Sequence, residues 1–300
     1  MVASFPFYIT PNEFSELQQE LTQDIATSSD SLSWSTYNLE EENRWLRKQL
    51  WLAASTAVTV FLVGIGMVAN FSDFTYLSSI VWIYIISLSI GAFATYVSFA
   101  VDDFFDYHLS SKGISISKRV GEPKWVPIAT KAMGVIGSVS CVALVAVMGP
   151  SALVGAGGFI LLSFTLLNRK PNEPDLKVVP AEDFMCARYD KKRNIVCIFS
   201  KIDVCRPSES EKHEGKILRS LAKTRLYIFP ESAERYEQVL SLVENELDLE
   251  CKPENDLGVM FDWKKAPQEF KSFRHQRAHY SMEDAVTKRD HPAPPPKKAR

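Results

Sequence analysis

"DDFFDYHLSSKGISISKR" (102–119) lies between long apolar runs and admits two readings. Its first five residues have the DDxxD spacing that some enzymes use to hold magnesium against a diphosphate. On a helix, Asp102 and Asp106 would share a face and could bind the ion. This much resembles the membrane prenyltransferases, which also need a second acidic cluster on a facing helix. The apolar runs of this chain carry no Asp, Glu, His, Lys or Arg, whereas buried ionisable groups are the usual mark of a membrane active site. The aspartates therefore read as solvated residues at a helix exit. The rest of the stretch reads as a β-hairpin. Phe105, Tyr107 and Leu109 alternate with polar partners, "SSKG" supplies a turn, and Ile114 and Ile116 resume the alternation. An isolated two-stranded hairpin is marginal in water, so it is expected to pack against the C-terminal half.

Outward from this stretch, the 34 basic and 36 acidic residues give a net charge of −2. That balance argues against a nucleic-acid protein built on one basic surface. The charges are nevertheless segregated. Residues 49–71, 74–101, 132–148 and 151–167 form uncharged apolar runs. About 20 apolar helical residues cross a bilayer, so four spans are expected, with two or three spans plus a re-entrant hairpin as the alternative for 132–167. The basic residues Arg44, Arg47, Lys48, Lys112, Lys118, Arg119, Lys124, Lys131, Arg169 and Lys170 all fall on one side of these runs, and the short "SD" and "GP" turns on the other. The positive-inside rule then places both termini in the cytoplasm. Small residues spaced four apart, such as Gly134 with Ser138 and Ser151 with Gly155, suit close helix packing in lipid.

The expected fold class is thus an α-helical membrane protein, with four transmembrane helices (N-in/C-in) and a small cytosolic α+β domain. Its organisation reads as a cytosolic helical segment (1–48), transmembrane helices 1 and 2 (49–101), a loop with the hairpin (102–131), a helical hairpin of spans 3 and 4 (132–167), the α+β domain (175–252) and a basic, largely disordered tail (253–300). In the α+β domain, 184–204 reads as strand, turn and strand, and "TRLYIF" (224–229) as a third strand. Tyr236, Val239, Leu240, Val243 and Leu247 form the apolar face of a helix. At the N-terminus, Thr10, Pro11 and Glu13 make a capping box.

No cofactor, metal or catalytic set is expected. Cys186, Cys197, Cys205 and His213 are too widely spaced for a compact zinc site, and no nucleophile elbow is present. The tail carries 10 basic and 4 acidic residues from Lys264 to Arg300. There Phe270, Phe273, Arg274, Arg277 and Tyr280 combine aromatic and basic character, the composition that meets anionic lipids or an acidic partner surface. They are the candidate interaction residues. The expected function is a non-enzymatic, multi-pass bacterial inner-membrane protein. Its cytosolic domain would bind a protein partner, in a regulatory, exclusion or immunity, or secretion-accessory role. Membrane lipids, a protein partner and a homo-oligomer are the expected associations, with no nucleic acid. The alternatives are a membrane enzyme using Asp102, Asp103 and Asp106 on a lipid or nucleotide, and a small oligomeric channel or transporter.

Overall fold

The computed structural model describes residues 5–68, 100–123 and 173–293. Between them it describes 92, 96, 125–129, 131–132, 134–135, 138–139, 146 and 149. The chain forms two compact units. One comprises Met1–Arg44, Asp103–Lys118 and Asp175–Arg300; the other comprises Trp45–Asp102 and Arg119–Pro174.

The first unit opens with α1 (Pro11–Thr27). The Thr10 hydroxyl accepts from the Glu13 amide, and the Glu13 carboxylate accepts from the Thr10 amide at 3.1 Å, satisfying donors that a helix start leaves open. Phe14, Leu21 and Ile25 mark its buried face. Four strands then make one sheet in the order β1-β2-β3-β4: β1 (Leu32–Asn38), β2 (Asp103–Ser110), β3 (Gly113–Val120) and β4 (Asp175–Pro180). β1 runs antiparallel to β2 with Trp34 opposite Tyr107, and β3 antiparallel to β4 with Ile114 opposite Val179. The period-2 alternation of the hairpin buries Phe105, Tyr107, Leu109, Ile114 and Ile116 on one face. At the turn, Gly113 has φ +147°, and a Cβ there would lie 2.3 Å from the Val179 carbonyl oxygen. No side chain fits.

A second sheet has the order β8-β5-β6-β7-β9: β5 (Phe184–Asp190), β6 (Ile195–Pro207), β7 (Ile217–Ile228), β8 (Cys251–Pro253) and β9 (Gln276–Tyr280). All pairings are antiparallel except β5 with β8. The β5–β6 turn ends at Asn194, whose φ of +50° is one that asparagine tolerates. Arg193 in this turn donates to the carbonyls of Leu39, Glu41 and Glu42, fixing the segment that follows β1. The helix α3 (Ala233–Ser241), capped by Ser232 and continued by a π-turn over Leu242–Glu246, covers the sheet with Tyr236, Val239, Leu242 and Val243. Short helices α4 (Gly258–Phe261), α5 (Gln268–Ser272) and α6 (Met282–Thr287) flank β9 in sequence.

The inner faces of the two sheets share one core, running from Trp34, Phe105 and Tyr107 to Ile198, Leu226, Phe229 and Val239. Each such large side chain contributes about 1.5–3 kcal/mol on burial. Its polar atoms are matched across the layers: Trp34 Nε1 donates to the Phe229 carbonyl at 3.0 Å, and the Tyr107 hydroxyl to the Tyr227 carbonyl at 2.9 Å. The Tyr227 hydroxyl donates in turn to the Met260 carbonyl at 2.8 Å. Buried aromatic rings with polar tips need such partners.

This architecture overturns the expected fold class. The described residues form a mixed α/β structure with two sheets, not a four-span helical membrane protein with a small appendage. The first expected span overlaps α2 (Trp45–Val68) in the second unit, where Trp51 Nε1 donates to the Ala92 carbonyl at 3.1 Å. The other three expected spans lie largely outside the described residues. Among the described residues no helix is long and apolar enough to cross a membrane. The transmembrane and multi-pass assignment, the inner-membrane placement and the orientation argument fall with those spans. The physical reason is that hydropathy weighs each segment by itself, whereas sheets join remote segments. Residues 32–38, 103–120 and 175–180 flank the apolar runs yet pair edge to edge. The expected disordered tail also differs from the structure, for β8, α4, α5, β9 and α6 fall within or at the edge of 253–293 and bury Met260, Ala266, Phe270 and Tyr280.

Candidate functional site

β6 and β7 are long strands, and their outer halves carry an uncommon pair. Asp203 lies opposite Leu221 and Cys205 opposite Arg219, which makes Asp203 and Arg219 diagonal neighbours on one face. Arg219 is 1% exposed. Its Nη2 meets Asp203 Oδ2 at 3.0 Å. Nε donates to the Phe7 carbonyl at 3.1 Å and Nη2 to the Pro6 carbonyl at 3.3 Å. The guanidinium lies 4.9 Å from the Phe14 ring centre, within cation–π range. Nη1 has no acceptor among the described residues.

The N-terminal strap, residues 5–9, is therefore hung on a buried cation. Tyr280 of β9 fastens its end: the hydroxyl accepts from the Ile9 amide at 3.1 Å and lies 2.8 Å from the Ile9 carbonyl oxygen. Arg289 pairs with Glu13. Between the strap, β6–β7 and residues 289–293, which bring Arg289, Asp290 and His291 to it, is a cleft of about 460 Å³. Phe5, Phe7, Asp183, Asp203, Arg219 and Gln276 are among its lining residues. Burial, reinforced by the Asp203 charge, pushes the Asp183 carboxyl up to about 6 against the pull of Lys201. Burial raises Asp203 as well, in spite of Arg219. Buried like charges disfavour joint ionisation. Beside the cleft, then, lie a buried guanidinium whose Nη1 has no acceptor among the described residues and a carboxylate paired with Lys201 at 3.9 Å.

Two surface features accompany it. Trp263 is exposed and stacks over Arg225 at 4.2 Å and Phe270 at 5.5 Å. A groove of about 600 Å³ along α3 is lined by Leu32, Leu242, Glu234, Glu237 and Glu246.

The structure disperses the residues singled out in the sequence. Phe270 is in the core against Phe199, and Tyr280 is buried beneath the strap. Phe273 is half-buried near Lys201, and Arg274 and Arg277 are exposed. Asp103 is buried and pairs with Lys118 at 3.3 Å, while the Asp106 carboxylate accepts from the Ser35 hydroxyl. On β2 these two carboxylates point to opposite faces, so the DDxxD spacing builds no clamp. Cys186 and Cys197 are buried thiols raised by desolvation, and among the described residues no group of three metal-ligating side chains assembles. Asp183, Asp203 and Arg219 escaped the sequence reading, in which the third strand began only at Thr224. The available signal was the alternation Ile217, Arg219, Leu221, which places an arginine on a largely apolar face.

A profile of the TsiV2 immunity protein family matches residues 12–207. The chain belongs to this family. The match runs from α1 through the whole first sheet to the end of β6, and so includes Asp183 and Asp203 but stops short of Arg219. One relative, the immunity protein TsiV2 of Vibrio cholerae serotype O1, is 30% identical over 115 residues, which cover 38% of this chain and 48% of that protein. The chain therefore spans about half the length of the TsiV2 relative it matches. No solved structure matches.

Proposed function

We propose that this chain is an immunity protein that binds a protein toxin and neutralises it by direct contact, without catalysis. The observation that carries this reading is the family match across residues 12–207. Binding by contact requires surfaces with paired or pairable charge and aromatic anchors, and the first unit offers several: the strap cleft, the acidic α3 groove and the basic side chains Arg274 and Arg277 beside Phe273. The last three residues keep their place as candidate interaction residues because they remain accessible, whereas Phe270 and Tyr280 would act only by shaping the surface above them. An inhibitory contact should survive conservative changes in the core and fail on charge reversal at the surface.

The test is a co-culture. A strain deleted for this chain is grown against its own parent, with and without the chain supplied on a plasmid. The deletion strain should be outcompeted and the plasmid should restore it. Equal survival of the deletion strain would sink the immunity reading. A toxin recovered from the parent by affinity to the tagged chain would name the partner.

A further inference from the structure

The outer strands of the two sheets are not treated alike. An outer strand presents unpaired N–H and C=O groups, which proteins blunt with charge, proline or short length because another chain can pair with them. β4 carries Asp175, Lys177 and Pro180, β8 is a three-residue strand ending in Lys252 and Pro253, and β9 carries Arg277 within five residues. β1, the fourth edge, runs seven residues as "LSWSTYN" with neither charge nor proline. Among the described residues, no hydrogen bond reaches its backbone from outside the β1–β2 pairing. Beside its first residue, Leu32, lies the groove of about 600 Å³ along α3. Leu32 and Leu242 supply its apolar lining, and Glu234, Glu237 and Glu246 its charge. No basic residue is among the described residues that line it. Two cations stand near. Arg235 pairs with Glu231 at 3.9 Å, donates to Gln238 at 2.9 Å and lies over the Trp34 ring. Lys191 reaches Glu237 at 3.4 Å with both side chains exposed, and an exposed pair of this kind contributes little.

An open sheet edge selects an extended polypeptide, because backbone groups at strand spacing are what satisfy it. The flank of α3 selects the charge of that polypeptide. From Glu231 to Glu250 the chain has seven acidic residues against Arg235 alone. A second copy of this chain, pairing edge to edge, would bring the same uncharged β1 residues and leave Glu234, Glu237 and Glu246 without a counter-charge. A strand with lysine or arginine at alternate positions supplies it, since alternate side chains fall on one face. We propose that the β1 edge and the α3 groove together form the docking surface for a basic, extended segment of the partner toxin, which adds to the first sheet as a strand beside β1. Its cations meet Glu234, Glu237 and Glu246, and their methylene stems cover Leu32 and Leu242. This rests on the immunity reading for the identity of the partner, though not for the chemistry of the surface. The family match over residues 12–207 includes β1 and stops before α3. The edge thus belongs to the matched segment, and the acidic flank to the chain beyond it.

The test uses the purified full chain and three end-blocked peptides of the length of β1, titrated by calorimetry. One alternates lysine with valine, one alternates glutamate with valine, and the third is the lysine peptide with every backbone amide N-methylated, which removes its strand-pairing donors. Saturable binding of the first alone is expected, with slower hydrogen exchange at amides of Leu32–Asn38. Changing Glu234→Gln, Glu237→Gln and Glu246→Gln together should weaken it by about tenfold, as the loss of three exposed ion pairs implies. Thermal unfolding checks that the variant is folded. A lysine peptide that does not bind, or that binds no better than either of the others, would overturn the surface. So would a triple variant that binds like the wild type, or exchange in β1 that the peptide leaves unchanged. Protection of β1 that grows with the concentration of the chain itself, without peptide, would seat a second copy there and overturn the basic occupant. The co-culture separates the two readings. A wild-type chain that protects, with the folded triple variant protecting equally, refutes the docking surface and leaves immunity standing. A wild-type chain that fails to protect refutes immunity, and the peptide titration alone then decides the surface.

Discussion

Replacing Arg219 by methionine removes the cation on which the N-terminal strap hangs, and the structure allows its cost to be worked out. Methionine keeps much of the stem volume, so the cavity left behind is small. Asp203 loses its partner at 3.0 Å while remaining mostly buried, and breaking a buried pair from one side costs about 3–5 kcal/mol. The Pro6 carbonyl loses its Arg219 donor and the Phe7 carbonyl keeps only the Tyr280 hydroxyl at 3.2 Å, an effect of about 1 kcal/mol each. The contact with the Phe14 ring is of similar size. These effects overlap, because Asp203 can take up a proton and the strap carbonyls can turn to water. A net loss of about 4 kcal/mol is expected. At a urea dependence of about 2–3 kcal/mol per molar, the unfolding midpoint of the first unit falls by more than about 1 M. The decisive comparison is the double variant Arg219→Met with Asp203→Leu, which removes the stranded carboxylate and should recover about 2 kcal/mol or more of the loss. Hydrogen exchange at Ile9, whose amide donates to the Tyr280 hydroxyl, should rise in the single variant. A single variant within about 1 kcal/mol of wild type, or a double variant no more stable than the single, would refute the assignment of the strap to this ion pair.

Three further outcomes follow from particular residues. Gly113→Ala should destabilise the first unit by about 2 kcal/mol or more, seen as a lower unfolding midpoint, because the new Cβ meets the Val179 carbonyl at 2.3 Å at a φ of +147°. Since the folded protein holds Asp183 at about 6, well above its ordinary value, the native state binds the extra proton, so stability falls as pH rises from about 4 to about 6.5. The effect is on the order of 2–3 kcal/mol; a chain carrying Asp183→Asn should lose most of this slope in urea titrations. Cys186 and Cys197 are buried and their thiols are raised by that burial, so in a background with Cys141, Cys205 and Cys251 changed to serine an aromatic disulfide reagent at pH 8 should label them only at the rate of unfolding; prompt labelling of either would contradict their burial.

The parts of the fold visible in the sequence are those governed by local periodicity. Phe105, Tyr107 and Leu109 against Ile114 and Ile116 announce the β2–β3 hairpin because alternate positions of a strand face one way. Thr10 and Glu13 announce the start of α1 because capping is settled within four residues. Tyr236, Val239 and Val243 announce the covering helix for the same reason. What the sequence hides is partnership. Nothing near Trp34 states that β1 pairs with β2 across a long intervening segment. Nothing near residue 253 states that the following forty residues contribute β9 and a buried Phe270 and Tyr280. A basic, proline-containing composition is shared by disordered tails and by edge elements that pack only their apolar minority.

The candidate site was hidden for a related reason. Its chemistry depends on Asp183 in the turn before β5, Asp203 on β6, Arg219 on β7 and a strap more than two hundred residues from Arg219, and none of these segments is unusual alone. Asp203 and Arg219 are ordinary surface residue types. Only the antiparallel register, which sets Asp203 diagonal to Arg219, and the strap laid over them turn them into a buried pair.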